Sequence, residues 1–423
     1  MLNNKDVTDI LNDLSDSSLN EDSPIIIKNE KFSTAALVFS VRMPLTGHNL
    51  AYASLLARMQ MNASASYPTL SAQQVILADL YDLDFAVVPQ LYGNKLVLSY
   101  IANFIEPREI LDPDYNYERI IKILTDIIQH PSFDQELLDF SKKQLTDSYR
   151  ELMESPANRA LDNFFRLWYK DNPDYANSFM GPIEEIENAD LDSIKKYAQN
   201  LHQAPALISG MARDKKFVSK LAEKGFNFAG LLDEFWSINN QIPAPKDVID
   251  KVENQGNIQA QLYMGYGFHD KSMTFKEQAA GLVLVQYLAG DQSSKLFTKI
   301  REELGAAYAV DANNYANNSL FLINAGLDPT LVDAAKKIIN EEIEKVKNGE
   351  IDSDLFAKAK KSIRNLRLIR EDQESFYLAE ILKKSLFVSY SDIDFSKLIT
   401  QTTTKSLIDF TKKLSLNESY VLK

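Results

Sequence analysis

A chain of 423 residues, 45% of them hydrophobic, is too long for one ordinary core and points to two or three domains. A formal charge of −13 excludes a general nucleic-acid binder, which needs a cationic stripe to displace counterions, and no window of eighteen uncharged apolar residues is present to span a bilayer. With no cysteine there are no disulfides or thiolate metal sites, and the acidic N-terminus lacks the basic and apolar parts of a secretion signal, so the cytoplasm is the default location.

Residues 1–22 read as a helical or loose leader. From Ile25 the pattern turns to strands, Ile25 to Ile27 and Ala35 to Arg42, stopped by Pro44 and Gly47. Helices are expected from Leu50 to about Met61 and from Ser71 to Leu80. Strands follow from Asp84 to Leu91 and from Lys95 to Ala102, joined by a tight turn at Gly93-Asn94. Helical spacing of apolar residues then marks Tyr117 to Ile128, Phe133 to Leu152, Arg159 to Trp168 and Leu191 to Asn200, before a buried strand from Ala206 to Met211. Pro243-Ala244-Pro245 and the polar run Glu253 to Asn257 look like a joint between halves.

Beyond the joint the series restarts. Gln259 to Gly267 reads as a strand, Phe275 to Leu288 as a helix, and Gly290 to Gly305 as a second helix. Ala309 to Tyr315 and Ser319 to Leu327 form a strand pair around Asn317-Asn318; helices follow at Leu331 to Lys347, Asp354 to Ile369 and Gln373 to Leu386. The run from Phe133 to Leu145 lies 218 positions before its counterpart from Ile351 to Ile363, each with Asp at its second position and a Lys-Lys pair further on. Repeated order and repeated detail together predict a duplication. The expected fold is α+β: two homologous layered domains, each an antiparallel-rich sheet with helices on one face, arranged as a clamshell. The expected division is a leader at 1–22, a first domain at 23–235, a linker at 236–256 and a second domain at 257–423.

The most informative stretch is Gly290 to Val310, GDQSSKLFTKIREELGAAYAV. Asp291, Ser293 or Ser294 can cap its helix, and Gly305 can take the left-handed conformation that ends it. Arg301 then sits in the last turn, and Tyr308 opens the following strand, so a guanidinium and a phenol can converge beside one helix end. An isolated Arg and Tyr seven apart carry little information, since a cation is favoured at any helix C-terminus.

The ordered string Leu288, Gly290, Ser294, Leu296, Phe297, Ile300, Arg301, Gly305 and Tyr308 resembles the second-domain signature of the pitrilysin/insulinase (processing-peptidase) metallopeptidases. The resemblance implies that Arg301 and Tyr308 hold the backbone of a peptide substrate opposite a zinc ion. In that family the first domain carries His-x-x-Glu-His on a helix, two imidazoles binding zinc beside a glutamate base. Tyr67-Pro68 after Ala63-Ser64 aligns those positions with Ser54-Leu55-Leu56-Ala57-Arg58. Ser54, Ala57 and Arg58 replace the two histidines and the glutamate. A hydroxyl, a methyl group and a permanent cation make a pocket electrostatically wrong for a dication. The third ligand position falls roughly near Asp147. The four histidines, His48, His130, His202 and His269, are far apart in sequence, His48 being read in a loop, and no nucleophile elbow or phosphate loop is present.

With the Arg/Tyr string kept and the zinc motif lost, the resemblance implies a non-catalytic subunit of a heterodimeric bacterial zinc peptidase. It binds no metal or cofactor itself and supplies Arg301 and Tyr308 to a paralogous partner that bears the zinc motif. The substrate is then a peptide or unfolded segment, and the isolated chain is a possible homodimer. The alternative is a scaffold or peptide-binding clamshell without proteolysis, in which Gly305 is only a cap and Tyr308 only a packed strand residue.

Overall fold

The computed structural model describes residues 24–177, 179–237, 241–269, 273–305, 307–387 and 393–423. The leader read at 1–22 lies outside them. In chain order the strands are β1 (Ile25–Lys28), β2 (Thr34–Pro44), β3 (Asp84–Tyr92), β4 (Lys95–Ile105), β5 (Ala206–Ala212), β6 (Ile249–Glu253), β7 (Ala260–Phe268), β8 (Ala307–Tyr315), β9 (Leu320–Leu327) and β10 (Leu414–Leu422). The helices of the first half are α1 (Gly47–Asn62), α2 (Leu70–Ala78), α3 (Tyr117–Gln129), α4 (Gln135–Glu154), α5 (Pro156–Trp168), α6 (Ile183–Asn188), α7 (Leu191–Leu201) and α8 (Lys215–Gly225). Those of the second are α9 (Phe275–Ala289), α10 (Val332–Lys347), α11 (Ser353–Arg370), α12 (Glu374–Leu386), α13 (Phe395–Gln401) and α14 (Thr404–Lys412).

The strands form two sheets of five, ordered β1-β5-β2-β4-β3 and β6-β10-β7-β9-β8. In each, the first pair is parallel and the rest antiparallel, so the topologies match strand for strand. The α+β expectation of two like sheets is met, but the helices expected on one face of each sheet pack on both. The 218-residue repeat also has a physical basis. Asp134 accepts the Leu137 N–H at 3.1 Å and Asp352 accepts the Leu355 N–H at 3.0 Å, so both copies start their long helix with the same side-chain cap.

The compact units do not follow the contiguous division at 235 and 257. One comprises the described parts of Met1–Tyr149, Phe179–Asn239 and Glu371–Asp392; the other comprises those of Arg150–Ser178, Asn240–Arg370 and Ile393–Lys423. Helix α5, from the first half of the sequence, therefore belongs to the second unit, and α12, from the second half, to the first. Alternation along the strands explains why each sheet accepts such a helix. In the second unit Leu262, Met264 and Tyr266 of β7 alternate with Tyr263 and Gly265; the first set joins the large core with α9 and α10, and Tyr263 packs with Phe164 and Trp168 of α5. In the first unit Phe39 of β2 stacks on Phe226 at 5.0 Å, while its neighbour Val38 packs with Leu378 of α12. Both faces of each sheet are thus covered: a multi-helix layer on one, a single helix on the other.

The second correction concerns the linker. Ile249–Glu253 is β6, an edge strand paired in parallel with β10. Its side chains are exposed or half-buried, so it has no apolar alternation to announce it; backbone pairing alone makes it a strand.

Gly265 lets α5 approach the sheet. A Cβ there would lie 2.6 Å from Trp168 Cζ3 and 2.7 Å from Phe164 Cζ, and those two rings stack with centroids 5.7 Å apart. Gly265→Ala is expected to destabilise the protein by about 1–3 kcal/mol through overpacking. An unchanged urea midpoint would show that α5 does not rest on β7.

Candidate functional site

The candidate site residues lie in two places in the chain, one in each unit. The first is built on the stretch after α9. That helix starts with a capping box: the Glu277 N–H donates to Thr274 Oγ1 at 3.3 Å and the Thr274 N–H donates to Glu277 Oε2 at 2.8 Å. It ends at Gly290, where a Cβ would fall 2.2 Å from the Gln286 side chain. Asp291 then accepts from the Ser293 N–H at 2.8 Å and from Ser293 Oγ at 2.7 Å. Those bonds, with Lys358 nearby, hold the Asp291 carboxyl below the usual range. Of the three candidate caps Ser294 occupies the cap position itself, since its carbonyl accepts the first helical bond, from the Thr298 N–H at 3.0 Å.

Leu296 and Ile300 are fully buried and fasten this segment to the core. From Phe297 to Glu303 the helix widens to π geometry, and the Leu304 N–H reaches back five residues to the Lys299 carbonyl at 3.1 Å. Arg301 lies in this last turn, exposed, with Cζ 4.7 Å from the centre of the Phe297 ring. Lys299 pairs with Glu303 at 2.8 Å. Gly305 has φ +64, which is the left-handed closure expected of it, and nothing among the described residues lies within 4 Å of where a Cβ would be.

The strand that follows starts irregularly. Ala307 opposes Leu327 and Ala309 opposes Gly326, so Tyr308 is the extra residue of a β-bulge. The Tyr308 side chain lies outside the described residues. Its backbone leaves the helix end within three residues of Gly305, as the sequence implied. The widened turn and the bulge were both missed in the sequence, for neither has a residue signature of its own.

The second place is α1. Thr46 caps it, accepting the Asn49 N–H at 3.0 Å. Gly181, at φ +87, lies against its backbone, where a Cβ would sit 2.5 Å from the Ala51 nitrogen. Ser54 and Ala57 are buried and Arg58 is half-buried. Ser54 Oγ has no hydrogen-bond partner among the described residues. At its C-terminal end, Asn62 Nδ2 donates to Gln144 Oε1 at 2.8 Å, tying α1 to α4, the helix that carries Asp147. Among the described residues there is no group of three histidine, cysteine, aspartate or glutamate side chains able to hold a metal ion. The residue types at 54, 57 and 58 do not fit zinc: one neutral hydroxyl, one methyl group and one fixed cation offer no imidazole or carboxylate donor.

Three of the four histidines serve local structure. His48 stands in the first turn of α1, not in a loop, with Nδ1 2.9 Å from Glu185 Oε2 and its ring 4.2 Å from that of Tyr52. His130 caps the end of α3 beside Asp126, and His202 stacks on Phe228 at 4.1 Å, burial holding its pKa below the usual value. No helix among the described residues is long and apolar enough to cross a membrane.

Comparison with known proteins agrees with this picture. Residues 215–363 match the family described as Peptidase M16 inactive domain. A probable inactive metalloprotease, YmfF of Bacillus subtilis, is 22% identical over 413 residues, covering 94% of this chain and 95% of the relative. Among solved structures, a conserved protein from Enterococcus faecalis aligns with a TM-score of 0.84 at 17% identity, over 94% of this chain and 95% of that one. A peptidase M16 inactive domain from Pseudomonas fluorescens aligns with a TM-score of 0.76 at 16% identity, over 94% of both chains. At these identities the two structures speak for the fold alone.

Proposed function

Because the chain belongs to the M16 (pitrilysin/insulinase-type) peptidase family as an inactive homologue, with serine, alanine and arginine at the zinc-motif positions, we propose that it is the non-catalytic subunit of a heterodimeric zinc peptidase. Its partner is a paralogous chain that carries His-x-x-Glu-His and the zinc. This chain contributes Arg301 and Tyr308, which hydrogen-bond the backbone of a peptide or unfolded segment. The cysteine-free sequence suits a cytoplasmic assembly.

The observation that carries this reading is the state of Arg301: an exposed guanidinium, with no ion pair or hydrogen bond among the described residues, beside the left-handed Gly305 and the bulge at Tyr308. A packing residue has no need of an unengaged donor set. A group that grips backbone carbonyls does, because each hydrogen bond already made within the fold would have to break first. Strand addition is the corresponding mode for the peptide, since it reads main chain rather than side chains.

The test is reconstitution. This chain and a zinc-motif M16 chain from the same organism are purified separately and mixed, and cleavage of a mixture of quenched-fluorescence peptides is followed. Neither chain alone is expected to cleave; the mixture is expected to do so, with zinc bound at one ion per pair and none bound by this chain alone. Complex formation without cleavage would favour the scaffold, and one tightly held zinc on the isolated chain would overturn the assignment.

A further inference from the structure

The contact between Arg301 and Phe297 has a direction that bears on how Arg301 works. The two residues are four apart, so they share one side of the turn. Phe297 is half-buried, set between fully buried Leu296 and, one turn on, fully buried Ile300, while Arg301 projects over its ring at 4.7 Å. A guanidinium on an aromatic face is held through its own flat face, and its five N–H donors lie in its plane, pointing outward. A guanidinium lying flat on the ring would be restrained there without using any donor. Glu303, two residues on, does not share that side of the turn and is bound by Lys299 through both oxygens at 2.9 and 2.8 Å. An unrestrained arginine loses rotamer freedom when it grips a ligand; the ring removes part of that loss beforehand.

We propose that Phe297 is a positioning residue for Arg301: its ring holds the guanidinium in one plane with the N–H edge left open for the main-chain carbonyls of a bound peptide. This rests on the reading of Arg301 as a peptide-holding group, and it makes no demand on the Tyr308 side chain.

The test is a double-mutant cycle in the reconstituted pair, with kcat and KM measured on one quenched-fluorescence peptide and the melting temperature of each variant recorded. Phe297→Leu, which keeps an apolar side chain but removes the ring, is expected to lower kcat/KM by about 2- to 5-fold. Phe297→Tyr is expected to match the natural protein. In an Arg301→Ala background Phe297→Leu is expected to change nothing further, because its effect passes through the guanidinium. In the isolated chain the ring current of Phe297 is expected to shift the Arg301 Cδ protons upfield by NMR, and Phe297→Leu should abolish that shift at unchanged melting temperature. If Arg301→Ala slows cleavage while Phe297→Leu does not, or if the two losses multiply, the positioning role fails and the peptide-holding role stands. If Arg301→Ala itself is without effect, both fall.

Discussion

Arg301→Ala, introduced into the reconstituted pair, is expected to lower kcat/KM for peptide cleavage roughly 10- to 150-fold. A charge-assisted hydrogen bond contributes about 1.5–3 kcal/mol, and one that strengthens as the carbonyl oxygen gains negative charge is lost from the transition state in full. The loss should fall on kcat more than on KM to the extent that the contact tightens only as the tetrahedral centre forms. Arg301→Lys is expected to recover part of the rate, since it restores the charge but not the flat, forked donor set that lies over the Phe297 ring. Binding to the partner chain, measured separately, should be unaltered. Activity of the Ala variant within about twofold of the natural pair would remove Arg301 from the mechanism and leave its exposure without a use.

The residues that could be read in the sequence are those whose local chemistry does not depend on a distant partner. Asp134 and Asp352 announce their helices because a carboxylate two or three residues ahead of an apolar repeat can satisfy orphan N–H groups wherever the helix later packs. Gly305 was legible for the same reason, its left-handed φ being a property of one residue. Helix α5 shows the limit. Its Phe164 and Trp168 declare a buried side, but an amphipathic stripe does not name the surface that buries it, and proximity in sequence suggested the wrong sheet. The π turn at Phe297–Glu303 was invisible because a bond to the fifth residue back needs no residue that a bond to the fourth does not. Phe297 and Arg301 were both in view, yet their stacking follows from spacing only once the helix and its exposed side are known.

Strand β10 was missed for a different reason, and the reason has a consequence that can be measured. Asn417-Glu418-Ser419 has the composition of a surface turn, yet it lies in a strand hydrogen-bonded on both sides, to β6 and to β7. Asn417 is the extra residue of a bulge, its Oδ1 accepting the Gly267 N–H at 3.1 Å and its Nδ2 donating to the Pro245 carbonyl at 3.0 Å. Glu418 pairs across the strand with Gly265, the residue over which Trp168 lies. It is fully buried, and neither carboxyl oxygen has a hydrogen-bond partner among the described residues. Desolvation pushes its pKa up to about 9; the opposing influence of Lys170, which is itself paired with Asp247 at 2.6 Å, is smaller.

The sign follows from counting protons. Between the unfolded value of 4.5 and about 9 the folded chain holds a proton on Glu418 that the unfolded chain has released, so stability falls as pH rises across that window and levels off above it. At pH 7.5 the cost reaches as much as about 4 kcal/mol, three units at about 1.36 kcal/mol each. Glu418→Gln keeps the shape and the two polar atoms but cannot ionise. It is therefore expected to stabilise the second unit at pH 7.5 by a few kcal/mol and to leave it nearly unchanged at pH 5. Urea unfolding at pH 5, 6, 7, 8 and 9, followed by Trp168 fluorescence in a Trp236→Phe background, separates this unit's transition from the other's. Parallel pH profiles for the two proteins would mean that Glu418 is solvated or paired in solution, and that the polar run in β10 carries no stability cost at neutral pH.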